Sequence, residues 1–410
     1  MRHHDARVRT TLAACAAFAA LAGTALAGAA PASGAEGGGT TIAPGVTYEE
    51  FDIPAAKGLT HAHVLSVDLR APHVRVDLLH PDAVGARATI SSLADASGAV
   101  GGVNGDFFNI TESQHPGVEA TGASVGPAVA SGRTLKSAVP DGQRFGPALP
   151  PGTTTEDVLG VGVDHRARLD RMALDGSVRA DGRTLPLGGL NQYALPVGSV
   201  GAFTSDWGSV SRVRATCGTD MNRAAPCSTD TYEVTVREGR VVSSADTPGK
   251  GPVASGTTVL VGREAGAQEL RKLSEGDRVE ITHRLVAASS HVPFRFAVGG
   301  YPVLRDGAPL PGLDTKTAAV RTAAGATSDG RHLFLLALDG APKYRTGLTI
   351  AEVADAMGKL GADDAFSLDG GGSSTLATRD PGAASVTVRN HPTDPPERAV
   401  ANGIGVFSKQ

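Results

Sequence analysis

The sequence predicts a fold of sheet and helix together. Three observations lead there: period-two alternation in the first quarter of the chain, a long middle stretch of short strands and turns, and one strand–helix–strand unit toward the C-terminal end. Composition agrees. With 53 Gly, 25 Pro and only 4% aromatic residues among 410, the chain suits turns and short elements better than a helical bundle. Its 41% apolar and 20% charged content is that of a globular protein, and a net charge of −4 offers no basic excess for nucleic acid or an anionic membrane surface.

The first residues read as an export signal rather than as fold. Arg2, Arg7 and Arg9 precede an Ala/Leu-rich stretch from Thr10 to Leu26, and Ala25-Leu26-Ala27 supplies the small residues of a cleavage site. Residues 1–27 are therefore expected to be a signal peptide, 28–40 a flexible Gly/Ala/Pro linker, and the mature protein secreted with no stable membrane association. An uncleaved N-terminal anchor is the rival reading. No later stretch approaches the ~20 apolar residues that span a bilayer. Cys15 lies in the leader, which leaves Cys217 and Cys227 as an even pair for an oxidising compartment. A disulfide between them would close a polar surface loop and add roughly 3 kcal/mol in the chain-entropy picture. No second Cys or His pair has the spacing of a zinc site with them.

Residues 41–410 form the main domain. From Tyr48 to His80, HAHVLSVDL and VRVDLLH alternate apolar and polar residues, as antiparallel strands do. Ile90–Ala96 fits a short helix and Ala99–Val103 a buried strand that ends at Asn104-Gly105-Asp106. Short strands separated by Gly, Asp and Pro turns fill about 147–292, a β-rich insert or second lobe. HLFLLAL, 332–338, is a continuous apolar run expected of a strand covered on both faces. Thr349 and Glu352 form a capping-box pattern, and Ile350, Val353, Met357 and Leu360 give the helix one apolar face. Gly361 can close it, and DAFSL, 364–368, is the next strand. Strand, helix, strand makes a βαβ unit.

That unit has a chemical consequence. Asp339 and Asp369 directly follow its two strands, so in a parallel pair both carboxylates emerge at the edge where open α/β sheets bind ligands. Adjacent strands would set them ~5 Å apart, and one strand between them about twice that. Asp339-Gly340 alone is an ordinary turn. Asp369-Gly370-Gly371-Gly372-Ser373-Ser374-Thr375 is more specific, because three glycines destabilise a chain unless unusual dihedrals or a close ligand require them. Its N–H groups can form an anion nest and its hydroxyls add donors, although without a following Lys it is not a Walker A loop. A flexible linker is the bland alternative. Arg321-Thr322 precedes the apolar strand, and a guanidinium suits a phosphate. Asn104 and Asp106 mark another strand end, and Arg398 and Asn402 flank the final apolar run. His61 and His63 share a strand face with no third ligand evident and read as a surface pair, while His115 and His391 sit in polar loops within possible reach of a cleft.

These phrases, in this order, resemble the phosphodiester glycosidase family: VNGDFFN from Val103, GGYPVLRDG from Gly299, RTAAGATSDG from Arg321, LDG ending at Gly340, GLTIAEVADAMGKLGADDAFSLDGGGSST from Gly347 and ERAVANGIGV from Glu397. The resemblance implies an α+β fold, a mixed β-sheet with flanking helices around the β-rich insert. It also implies a hydrolase acting on a sugar 1-phosphodiester. Its polar positions fall on Asn104, Asp106, Arg321, Asp339, Asp369, Ser373, Ser374, Arg398 and Asn402. Asp369, with Asp339 or Asp106 as partner, is then the expected catalytic carboxylate. Arg321, Thr322, Gly370, Gly371, Gly372, Ser373, Ser374, Arg398, Asn104 and Asn402 would bind the substrate and its phosphate. The expected substrate is a sugar phosphate or glycopolymer of the cell envelope. No cofactor is expected, with Ca²⁺ or Mg²⁺ among Asp339, Asp369 and Asp106 as the metal-assisted alternative. A non-catalytic glycan- or wall-binding protein is the other alternative.

Overall fold

The alternation after residue 45 produces two long antiparallel strands, Val46–Ala55 and Gly58–Asp68, paired along their whole length. The computed structural model describes residues 39–340, 346–393 and 396–409, and Gly39–Gln410 forms one compact unit. The proposed leader and nearly all of the linker, residues 1–38, lie outside the described residues; Thr40 already opens a strand, Thr40–Ala43.

The described residues build three sheets. The first has eight strands in the order Thr40–Ala43, Val46–Ala55, Gly58–Asp68, His332–Leu338, Thr322–Ala326, Asp364–Ser367, Tyr301–Arg305, Ala308–Pro309. The second has eleven strands, and those between 147 and 292 all join it. They share it with Ala128–Ala130, Arg133–Lys136 and Phe294–Gly299 from either side. The third has five: Thr387–Val388, Leu376–Thr378, Gly101–Asn104, Gly403–Phe407 and Arg75–Leu79.

This corrects the expectation of an α+β fold with flanking helices. The protein is mostly β, with three α-helices among the described residues: Ile90–Ser97, Ala265–Leu270 and Ile350–Lys359. The strand–helix–strand unit exists in sequence, but an antiparallel strand, Thr322–Ala326, lies between its two parallel strands. Among the described residues the one parallel neighbour pairing joins Arg183–Leu190 to Val200–Phe203. The physical reason is what covers the sheets. Both faces of the first sheet are buried: Ala62, Val64, Leu336 and Leu338 pack on one side with Val353 and Met357 of the helix. Leu65, Val67, Leu335 and Ala337 pack on the other with Val103 and Ile404 of the third sheet and Phe296 of the second. Sheet covers sheet where helices were expected.

The helix Ile350–Lys359 carries its predicted cap. The Thr349 hydroxyl accepts from Glu352 N, and the Glu352 carboxylate accepts from Thr349 N at 2.8 Å. Gly361 follows with φ +98°. Because this helix holds the crossover between the strands that end at Asp339 and Asp369, its cap supports the site. Thr349→Ala should cost about 1 kcal/mol of unfolding free energy, read as a lower urea midpoint with unchanged slope.

Candidate active site

Two sheets meet at one edge, and the polar strand ends gather there. Strands His332–Leu338 and Asp364–Ser367 run parallel, so Asp339 and Asp369 leave the first sheet at the same end, where antiparallel Thr322–Ala326 begins. In the third sheet Asn104 pairs with Gly403 and Val103 with Leu376, which places Asn104, Asn402 and Thr375 together. Asn104 is fully buried and joins the two sheets. Its Nδ2 donates to Asp369 O (2.7 Å), and its Oδ1 accepts from Thr322 Oγ1 (2.8 Å) and Thr375 N (3.0 Å). Thr322 Oγ1 is also 3.1 Å from Ser374 Oγ.

Asp369 is anchored by backbone: its N donates to Gly105 O (2.9 Å) and its Oδ1 accepts from Gly370 N (2.9 Å). Burial of the carboxyl raises its pKa to about 6 despite the Ser373 hydroxyl, Gly370 N and the positive charge of Arg398; the negative charge of Asp106 pushes the same way. Asp106 is held by Asn402 Oδ1, which accepts from its N at 2.9 Å, and by Gly126 N, which donates to its Oδ2 at 2.6 Å. Burial raises the Asp106 pKa and lowers that of its neighbour Lys136, and attraction between the two opposes both shifts. A Cβ at Gly299 would stand 2.5 Å from Asp106 Oδ2, so the Gly-Gly-Tyr phrase is glycine there for contact with this carboxylate.

Asp339 has a different environment. It is fully buried, accepts from His391 N at 2.6 Å, and lies 3.1 Å from both His63 Nε2 and His391 Nδ1. Burial would raise its pKa, but the His63 side chain and the His391 backbone and ring outweigh that and hold it down at about 2. Thus the carboxylate placed electrostatically beside Asp369 is Asp106, whereas Asp339 is committed to two histidines.

The glycine turn is a short 3₁₀ segment, Gly371–Ser373, with Gly371 at φ +60°. Its N–H groups turn inward: Gly371 N donates to Val320 O, Ser373 N to Gly370 O, Ser374 N to Gly371 O and Thr375 N to Asn104. These donors shape the turn instead of forming an outward anion nest, and Ser373 and Ser374 are fully buried beneath it. Arg321 spends Nε on Leu348 O (3.0 Å) and Nη2 on Thr317 O (2.8 Å), while Arg398 Nη1 lies 3.4 Å from Ser373 Oγ. Arg398 is therefore the arginine that acts electrostatically on Asp369. The three aspartates Asp106, Asp339 and Asp369 do not gather as one cation-binding group among the described residues. His115 is a buried structural residue, 2.5 Å from Glu112 Oε1 and 2.8 Å from Ala225 O. Nearby, Cys217 and Cys227 form a disulfide.

Several residues gave no signal in sequence. Lys136 ends the short strand Arg133–Lys136 and Arg144 follows in a loop, where it packs over the rings of Phe107 (4.9 Å) and Tyr301 (5.6 Å) beside Asp106. Arg144 Nε and Nη2 and Asp106 Oδ1 are buried without a protein partner, and such groups are costly unless something satisfies them. Asn390 ties Leu338 O (3.2 Å) to Ser374 O (2.9 Å), and thereby the two strand ends to each other. The large surface grooves, of about 830 and 760 Å³, are lined by none of these residues.

A raised acid pKa has a definite sign in stability. The protonated Asp369 favours the fold below pH ~4, and that contribution is lost as pH rises through about 6. Wild-type protein should therefore lose thermal stability from pH 4 to 7 relative to Asp369→Asn, which has no proton to release. Parallel melting curves across that range would contradict the buried-acid assignment.

The phosphodiester glycosidase family model matches residues 230–407. No curated protein matches the sequence. Among solved structures, a hypothetical protein from Synechocystis has a TM-score of 0.68 at 18% identity over 89% of this chain; the match spans 62% of that protein's length. A protein of Burkholderia pseudomallei described as exported has a TM-score of 0.64 at 22% identity, over 85% of this chain and 74% of its own. At these identities the likeness is one of fold. The catalytic domain of zebrafish N-acetylglucosamine-1-phosphodiester alpha-N-acetylglucosaminidase, auto-inhibited by its pro-peptide, follows with a TM-score of 0.44 and 14% identity, over 89% and 84% of the two chains. Residues 230–407, which carry Arg321, Asp339, Asp369 and Arg398, thus match the phosphodiester glycosidase family that the ordered sequence phrases resemble.

Proposed function

We propose that the protein is an exported hydrolase that releases a sugar from a sugar 1-phosphodiester in extracellular or cell-envelope glycopolymers. The observation that carries this reading is the pair Asp369 and Asp106 beside Arg398 and Ser373, in a chain whose 230–407 segment matches a family of that chemistry. Asp369 is the acting carboxylate at the anomeric carbon. Its pKa near 6 keeps it ionised at neutral pH yet basic enough to take a proton or form a bond. Asp106 supplies the second negative charge that a developing oxocarbenium ion requires. Arg398 receives the phosphate, which is a good leaving group and needs little protonation, while the buried Ser373 hydroxyl holds Asp369 and Arg398 in place. Arg144 offers unpaired guanidinium nitrogens on the Asp106 side of the same site. Export is supported by the leader-like N-terminus and by the Cys217–Cys227 disulfide.

The test is sugar release from a synthetic sugar 1-phosphodiester. Asp369→Asn should lower kcat by roughly 10²–10⁴-fold. Arg398→Ala should raise KM for the charged diester more than it changes kcat. Wild-type kcat/KM should fall below pH about 6 as Asp369 takes up its proton. Wild-type turnover in both variants would sink the assignment, and tight binding of the diester without turnover would favour a glycan-binding protein.

A further inference from the structure

We propose that Glu50, His61 and His63 form a binding site for a borderline divalent cation, zinc being the best fit, across two paired strands of the first sheet. Strands Val46–Ala55 and Gly58–Asp68 pair so that Glu50 stands opposite His63 and Asp52 opposite His61. Direct cross-strand partners share a face, and so do residues two apart, so all four side chains lie together. One ligand atom from each of Glu50, His61 and His63 falls within 4.8 Å of the others. His63 Nδ1 is 3.8 Å from Glu50 Oε2, about 0.4 Å beyond the roughly 3.4 Å edge of a tetrahedron with 2.0–2.1 Å bonds. A small side-chain rotation closes that gap.

The support behind these residues is what distinguishes them from an ordinary surface cluster. Metal-binding histidines characteristically have their second nitrogen held by a carboxylate, which fixes the ring and strengthens it as a ligand. Here both do: Asp339 Oδ1 is 3.1 Å from His63 Nε2, and Asp52 Oδ1 is 2.7 Å from His61 Nδ1. His63 Nδ1, the other nitrogen of its ring, is the atom that faces the Glu50 carboxylate. His63 is 2% exposed and so arrives preorganised, while Glu50, 58% exposed, keeps the site open to solvent. The Tyr48 hydroxyl lies 2.8 Å from both His63 Nδ1 and Glu50 Oε2; it can keep its proton on Glu50 as the cation takes the imidazole lone pair. Two imidazoles and one carboxylate select zinc or a neighbouring first-row ion over Ca²⁺ and Mg²⁺, which take oxygen.

The site shares no ligand with the Asp369 centre, so it stands or falls independently of the proposed hydrolase. The experiment uses the full chain after chelation and dialysis, titrated with Zn²⁺ by calorimetry and with Co²⁺ by visible absorption. One ion per chain is expected, with intense tetrahedral Co²⁺ bands and a rise in melting temperature. His61→Ala or Glu50→Gln, both at solvent-accessible positions, should weaken binding by on the order of 100-fold, and Asp52→Asn by roughly 10–100-fold. Circular dichroism checks that each variant is folded. Absence of stoichiometric Zn²⁺ binding, or equal affinity in wild type, His61→Ala and Glu50→Gln, overturns the proposal.

Discussion

The side chain of Asn104 is the join on which the candidate site depends. One amide reaches three segments that are far apart in sequence: it donates to Asp369 O and accepts from Thr322 Oγ1 and Thr375 N. Each bond is short, and the residue is wholly buried, so leaving any of these groups unpaired would cost about 1–3 kcal/mol. A carboxylate could accept but not donate, and an apolar residue could do neither. The two sheets consequently meet in one register, and Asp369 is presented at a fixed point between them.

From that join follows a contrast between two aspartates in equivalent places. Both follow parallel strands of one sheet and both are followed by glycine, yet burial raises Asp369 to about 6 while Asp339 is held near 2. The difference lies in their partners. Asp369 has one hydroxyl, one N–H and a more distant guanidinium against the negative charge of Asp106, whereas Asp339 has two imidazoles and a backbone N–H. Position in the fold supplied the opportunity for chemistry, and the neighbours divided the roles.

Much of this was legible before the structure, for identifiable reasons. Alternation located the strands from 46 to 68, the capping box located the helix at 350, and the order of Asp339, helix and Asp369 implied a shared edge. Periodicity could not say that Thr322–Ala326 would insert between the two parallel strands, because that pairing is made across the sheet and not along the chain. Nor could it show that other sheets, rather than further helices, cover the face opposite the helix Ile350–Lys359. The glycine turn shows another limit: its composition suggested outward donors, but hydrogen-bond direction is set by Val320, Gly370 and Asn104, which arrive from elsewhere. Lys136, Arg144 and Asn390 sit in segments with no pattern, so only three-dimensional contact reveals them.

The alternation that builds the outer strands also explains why polar chemistry accumulates on one of their faces. Ala62 and Val64 enter the core, so His61 and His63 must point the other way. A buried His63 is tolerable there only because Asp339 and Tyr48 meet its two nitrogens. Asp339 in turn accepts from His391 N, and the same short segment places Asn390 under Ser374 and Thr393 against Gly371. Residues 390–393 therefore touch both the histidine face and the glycine turn. A shift of this segment that loosened Asp339 would also move the support beneath Ser374. The histidine face and the glycine turn thus share that strap.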